Sequence, residues 1–185
     1  DVERSRGLGD VYKRQIPARL ESQRFPNKLI KKLAGVPIIA RTYIAALNTK
    51  LFDEVYVVSG NDEIIELIKS MNGLTFKSRR IHQSGTDRIA EAANEIDHDI
   101  VVNLQGDEPF INIDSIENLI ASFQDSSVEM ASLMTSFNSF DEIKNPNHVK
   151  VTVDKNNNAI FFSRLPIPLG AVSYTHLTLP TTPYV

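Results

Sequence analysis

Apolar residues recur along this chain in two rhythms, and the alternation between them predicts its elements. Val55-Tyr56-Val57-Val58 and Ile100-Val101-Val102-Asn103-Leu104 are short continuous apolar runs, as in parallel strands buried on both faces. Ile39, Tyr43, Ala46 and Leu47 repeat at helical spacing, as do Ile64, Ile65, Leu67, Ile68 and Met71. Ile113, Ile116, Leu119, Ile120 and Phe123 mark one face of another helix, with Asp114 or Ser115 expected near its N-cap. Residues 86–96 read as a further helix. Pro37 suits a first helical turn, and Gly73 suits a helix end. Ile16-Pro17-Ala18 reads as the close of a strand whose beginning is lost, with a polar loop over 19–32. Residues 130–137 are expected to form a strand. Residues 149–153 and 159–162 flank Lys155-Asn156-Asn157-Asn158, a hairpin signal. Strands alternating with helices predict an α/β layered sheet with right-handed crossovers. Ligands of such sheets bind beyond the carboxyl ends of the strands, so the loops after Ala18 and Leu104 are the first places to look.

Composition narrows the class. Apolar residues make up 42% of 185, ordinary for one soluble domain, and no run approaches the ~20 residues of a membrane span. No signal peptide is expected. The absence of cysteine removes disulfide scaffolds and thiolate metal sites, and fits a reducing compartment. A net charge of -3 argues against broad nucleic-acid binding but leaves room for a local basic site.

The two ends read differently from the middle. Asp10-Val11-Tyr12-Lys13-Arg14-Gln15 can be encoded by GATGTGTATAAGAGACAG. The reverse complement of that DNA, read from its third base, encodes Val172-Ser173-Tyr174-Thr175-His176. An inverted copy of one DNA near both ends looks like a translated transposase-style adapter. Residues 1–15 and 172–185 are therefore set aside as adapter-like and not native. Residues 16–171 are taken as the working domain, and as incomplete.

Four blocks in that domain could carry chemistry. In the loop after Ala18, Arg19, Arg24 and Lys28 are three cations close to a strand end. A nucleoside triphosphate is a compact polyanion, which Arg can grip with a fork and Lys with a point charge. A solvated basic loop is the plain alternative. The G-x-x-x-x-G-K-S/T pattern of a P-loop is absent. Asn103-Leu104-Gln105-Gly106-Asp107-Glu108-Pro109 follows the clearest strand. Gly106 permits a tight turn, and the carboxylates of Asp107 and Glu108 could hold Mg²⁺ or simply face water. In Arg79-Arg80-Ile81-His82-Gln83-Ser84-Gly85-Thr86-Asp87-Arg88, residues 84, 86 or 87 could cap a helix whose N-terminus could also polarise a nucleotide. His82 has no spaced metal-ligand partner, so a structural histidine is its default. In Phe161-Phe162-Ser163-Arg164-Leu165-Pro166-Ile167-Pro168 the phenylalanines are expected in the core. Arg164 is open to a substrate carboxylate or a surface acid. With no cysteine and no G-x-S-x-G elbow, nucleophilic catalysis by the protein has no support.

Taken in order, these blocks resemble the cytidylyltransferases that make CMP-3-deoxy-manno-octulosonate. That family shows I-P-A-R-x-x-S-x-R-x-P-x-K, then H-x-S-G-T-D/E-R, N-x-Q-G-D-E-P and F-S-R-x-x-I-P. Asn145-Pro146-Asn147 leads into Val149-Lys150-Val151 as the family does. The resemblance implies a three-layer Rossmann-like nucleotidyltransferase fold of the nucleotide-diphospho-sugar transferase type, with its C-terminal part missing. It implies transfer of CMP from CTP to 3-deoxy-D-manno-octulosonate (KDO), with release of pyrophosphate, for lipopolysaccharide synthesis in a bacterial cytoplasm. Arg19, Lys28 and Asp107 are the implied catalytic residues. Ala18, Arg19, Ser22, Arg24, Lys28, His82, Gln83, Ser84 and Gly85 are the implied nucleotide-binding set. Gln105, Ser163 and Arg164 are implied to meet the sugar, and Asp107 to bind Mg²⁺ as cofactor. A homodimer is implied for the full-length parent, with no nucleic-acid or membrane partner.

The resemblance also implies what is lacking. Family members continue beyond this point with a second acidic Mg²⁺ ligand and further sugar contacts. The chain as it stands is therefore expected to be unstable or inactive. Lys13 and Arg14 near a buried strand position would cost several kcal/mol unless they reach water or a partner. Competing readings are an acylneuraminate cytidylyltransferase, a nucleotidyltransferase using UTP and a sugar phosphate, and a nucleotide-binding fragment without turnover. A redox dinucleotide domain lacks its G-x-G-x-x-G.

Overall fold

The computed structural model describes residues 12–18, 27–80, 82, 84–167 and 178–179, the first and last of these stretches as backbone. In chain order, β1 (Tyr12–Ala18) precedes a small hairpin of β2 (Lys32–Leu33) and β3 (Val36–Pro37). Then come α1 (Ile38–Asn48), β4 (Glu54–Ser59), α2 (Asp62–Lys69), β5 (Leu74–Lys77), α3 (Gly85–Ala93), β6 (Ile100–Asn103) and α4 (Ile113–Ala121). The second half adds β7 (Thr135–Ser136), α5 (Phe140–Lys144), β8 (Lys150–Val153), β9 (Ala159–Ser163) and β10 (Thr178–Leu179).

The main sheet has the order β5-β4-β1-β6, and all its pairings are parallel. Alternation along β4 assigns each face. Val55 and Val57 join Ile39, Tyr43 and Ala46 of α1, Ile64 and Ile68 of α2, and Leu104 in one cluster. Val58 turns the other way, onto Ile89 and Ala92 of α3, with Tyr56, Phe76 and Val101 beside it. Both faces are thus covered, which is why β4 reads as an unbroken apolar run. Helices on both sides of a parallel sheet make the three layers that the sequence predicts.

Polar residues set the helix starts. Asn61 caps α2 by accepting from the Ile64 N–H at 3.2 Å. Ser84 and Asp87 form a reciprocal capping box at α3. Asn112, rather than residue 114 or 115, caps α4, accepting from the Ser115 N–H at 2.8 Å. Gly73 follows α2, but the left-handed residue there is Asn72 (φ 57°). Gly73 is needed for space, since an added Cβ would lie 2.5 Å from Ile68 Cγ2. Pro37 sits at the N-cap of α1, one residue before the first turn.

Several expectations change. Residues set aside as adapter-like extend the first strand: the backbone of Tyr12 to Gln15 continues β1, pairing with β4 and β6. Ladder bonds use backbone groups, so residues of any kind can extend a strand. The 19–32 loop leads into the β2–β3 hairpin, whose Ala34 and Gly35 both have positive φ (49° and 81°), as a two-residue turn of this hand requires. An Ala-Gly pair is a weak hairpin signal, and the two-residue strands carry no period. β5 was also missing from the pattern, because its four residues, Leu74 to Lys77, are mixed in polarity. Only Thr135–Ser136 of the strand expected over 130–137 is formed. Leu47 and Ile113 are exposed despite their helical spacing.

The second sheet, β7-β10-β8-β9, is antiparallel, and β9 lies at its edge. The predicted hairpin, β8 and β9, forms one side of it, with Asn157 left-handed in the turn (φ 65°). Phe161 and Phe162, expected in the core, are exposed, as is Ile160.

Candidate active site

The chain changes direction across the main sheet at β1. From β1 it moves to β4 and β5 on one side, then returns through α3 to β6 on the other. The crevice at the carboxyl ends of β1 and β6 is thus the topological switch point where ligands of such sheets bind. Two loops meet there. Lys28 opens a short 3₁₀ turn after the β1 loop, and Asp107 lies on the turn after β6. Their side chains form an ion pair, Lys28 Nζ donating to Asp107 Oδ2 across 79 positions of sequence. Both remain partly exposed, at 41% and 31%, so they are open to a ligand. An ion pair this wet adds little stability, and its value lies in placing opposite charges side by side.

The Asp107 turn is held from below. Buried Thr42 on α1 donates from Oγ1 to the Gly106 carbonyl at 2.9 Å. The Glu108 N–H closes the turn onto the Gln105 carbonyl at 3.1 Å. Gln105 is half-buried at the turn's start. Asn103, last in β6, is 2% exposed, and neither end of its amide has a hydrogen-bond partner among the described residues. Asn103 and Thr42 were not singled out as site residues. The motif containing Asn103 was visible, but nothing in sequence links Thr42 to residue 106.

A third loop enters at the N-terminus of α3. Its anchor is Glu91, in the last turn of α3, with a side chain 10% exposed. Glu91 accepts from Ser78 Oγ, from the Arg79 N–H at 3.1 Å and from His82 Nε2 at 2.7 Å. Burial alone would raise its carboxyl. The bonds from Ser78, His82 and the Arg79 backbone, with the charge of His82, outweigh burial and bring it from 4.5 to about 2. His82 is thereby committed to Glu91 through one ring nitrogen. Ser84 and Gly85 stand beside it at the helix start, where Ser84 Oγ accepts from the Asp87 N–H at 3.1 Å. Glu91 gave no signal in sequence, because nine residues separate it from His82.

The fourth block lies on the second sheet. Ser163 ends β9, and its hydroxyl accepts from the Leu165 N–H at 2.9 Å. Arg164 is exposed, and its Nη1 donates to the Pro146 carbonyl at 3.1 Å. Of the two alternatives read for Arg164 from sequence, the surface acid is not found among the described residues. The backbone of Ala18 ends β1 at the switch point. Arg19, Ser22, Arg24 and Gln83 lie outside the described residues, as do most of the adapter-like ends.

Among the described residues, no group of three or more His, Cys, Asp or Glu side chains stands together. A protein-only metal cage is therefore not what these residues build. A single carboxylate beside a phosphate-suited lysine does fit Mg²⁺, which commonly takes one or two carboxylates and fills its shell with water and phosphate oxygens. Also among the described residues, no helix is long and apolar enough to cross a membrane.

A parallel three-layer sheet with a cation and a carboxylate joined at its switch point defines an α/β protein of the nucleotidyltransferase-like fold. The Cytidylyltransferase family profile matches residues 16–181, and the chain belongs to that family. Over 156 residues it is 49% identical to the 3-deoxy-manno-octulosonate cytidylyltransferase of Christiangramia forsetii, covering 83% of this chain and 63% of that protein. Identity is also 49% to the enzyme of the same name from Flavobacterium johnsoniae, over 83% of this chain and 64% of that one. The structure resembles that of CMP:2-keto-3-deoxy-manno-octonic acid synthetase complexed with CTP, with a TM-score of 0.85 and 32% identity. That match covers 95% of this chain and 72% of the other. The chain thus spans less than two thirds of the length of these curated relatives.

Proposed function

We propose that the full-length protein transfers CMP from CTP to 3-deoxy-manno-octulosonate, releasing pyrophosphate. The observation that carries this reading is the meeting of Lys28 and Asp107 at the switch point. It supports the reading because a lysine of the kind that binds phosphate and a carboxylate of the kind that binds Mg²⁺ then stand side by side. The names of the relatives supply the substrate pair.

In this reading Arg19 and Lys28 hold the phosphates of CTP, while Ser22 and Arg24 support their loop. The backbone near Ala18 and the side chains around Ser84, including His82, Gln83 and Gly85, face cytidine. Gln105, Ser163 and Arg164 hold the acidic sugar. Asp107, with Lys28 drawn away onto phosphate, is the group that would hold Mg²⁺, which when bound supplies neutralising charge at the phosphates. The anomeric hydroxyl oxygen forms a bond to the α-phosphorus as the bond from that phosphorus to the β-bridging oxygen breaks; pyrophosphate leaves, and the hydroxyl proton passes to solvent. The protein contributes position and fixed charge rather than a covalent intermediate. A homodimer, a cytoplasmic location and a part in lipopolysaccharide synthesis belong to the same proposal.

A pyrophosphate-release assay across CTP and UTP, each with 3-deoxy-manno-octulosonate, a sialic acid or a sugar phosphate, tests it. The proposal expects release with CTP and the octulosonate to exceed every other pair. Faster turnover with a sialic acid, or with UTP and a sugar phosphate, would overturn the substrate assignment.

A further inference from the structure

Lys150 is a fully buried lysine with no acidic partner among the described residues. Its side chain enters the interior from the first residue of β8, with 0% of the residue exposed. The ammonium donates to the carbonyls of Asn145 (2.7 Å), His148 (2.9 Å) and Arg164 (2.7 Å). An ammonium has three protons, and three acceptors satisfy it completely. Lys150 therefore has no donor left for a substrate. What it holds is the turn before β8 and the backbone of Arg164 just after β9. Arg164 closes the loop from the other side, donating from Nη1 to the Pro146 carbonyl at 3.1 Å.

Two cations thus share one knot of backbone carbonyls. Their mutual repulsion is registered at Lys150, whose pKa is lowered by burial first and by Arg164 second. Among the described residues, neither forms an ion pair with a carboxylate. Carbonyl dipoles offset a buried charge only in part, and an anion would offset it further. The Arg164 guanidinium is exposed and has spent one of its five N–H groups, so it retains a fork for a planar anion.

We propose that Lys150 is a positioning residue for a carboxylate-binding site: it fixes Arg164 beneath the acid group of the sugar and adds a second, buried positive charge behind it. The inference rests on the sugar-acid reading above and extends it to a residue that touches no substrate. It predicts that the carboxylate, rather than the hydroxyls, is what Lys150 serves.

The test follows the Arg164 guanidinium resonance in ¹⁵N-arginine-labelled protein during titration with 3-deoxy-manno-octulosonate, with its neutral methyl ester, and with CTP. Lys150→Gln keeps two N–H donors for the carbonyls but removes the charge, and Lys150→Arg keeps the charge. A thermal melt of each variant reports folding. The expected result is a saturable Arg164 shift with the acid, weakened about tenfold in Lys150→Gln and largely restored in Lys150→Arg. Binding of the ester and of CTP should not change. Equal affinity of wild type and Lys150→Gln for the acid would overturn the inference while leaving the function intact. Equal weakening for acid and ester would reduce Lys150 to a structural prop and also overturn it. A wild-type protein that binds CTP but gives no Arg164 shift with the acid would overturn the sugar-acid reading and the inference together.

Discussion

The two sheets of this protein bury their strands to very different extents. β4, in the parallel sheet, is flanked by α1 and α2 on one face and α3 on the other, and Val57 and Val58 are fully buried. β9, in the antiparallel sheet, exposes Ile160 by 67%, Phe161 by 56% and Phe162 by 45%. Successive strand residues point to opposite faces, so both faces of β9 lack cover from described residues. The proposed nucleotide groups stand on the first sheet, and the sugar-facing Ser163 and Arg164 on the second. The contrast teaches that the proposed nucleotide groups stand on a closed core, whereas the proposed sugar groups stand on a sheet whose apolar surface suits an interface.

The largest effect should come from chemistry on the closed sheet. Asp107→Asn preserves the size of the side chain but removes its charge. It should slow Mg²⁺-dependent pyrophosphate release in the full-length protein on the order of 100-fold. Near-normal turnover would remove Asp107 from the metal's environment. Next comes the contrast in packing. Ile68→Ala should cost about 2–5 kcal/mol in denaturant unfolding, while Phe161→Ala should stay within about 0.5 kcal/mol. Comparable losses at both positions would show that β9 is buried in solution and would erase the difference between the sheets.

A pH series sharpens the same contrast. The folded Glu91 carboxyl lies near 2 against an ordinary 4.5, so its contribution is fully present above pH 4.5 and fades as pH falls toward 2. Glu91→Gln should flatten the acid limb of stability against pH, and an unchanged limb would place the network elsewhere. Last, Gly73→Ala forces a methyl against Ile68 and Tyr43 and should cost about 1–3 kcal/mol by thermal melting.

Legibility in the sequence followed the same division. β4, β6 and the faces of α1, α2 and α4 were legible, because complete burial writes a periodic pattern. β5 and the β2–β3 hairpin were not, being too short or too mixed to show a period. Phe161 and Phe162 misled for the opposite reason: apolarity reports a need for cover and does not say whether the cover comes from the same core. Within the site, Lys28 and Asp107 could each be named from their loops. Their pairing across β1 and β6 needed the strand order, which alternation alone does not specify. Thr42 and Glu91 act through partners far away in sequence, so no local motif announces them, and Lys150 lies in a stretch that the resemblance names without revealing that its side chain is buried on backbone carbonyls. Arg14 is the register partner of Val55 and Val102, each 2% exposed, which is the buried strand setting expected for it from the resemblance.

The central claim is that the crevice between β1 and β6 binds the phosphates of CTP through Lys28, with Mg²⁺ at Asp107. Calorimetric titration of CTP into wild type, Lys28→Ala and Asp107→Asn, with and without Mg²⁺, tests it most directly. The account predicts saturable binding by wild type that tightens with Mg²⁺. Binding should weaken in Lys28→Ala, and the Mg²⁺ response should vanish in Asp107→Asn. Equal affinity and equal Mg²⁺ response in all three proteins would contradict it.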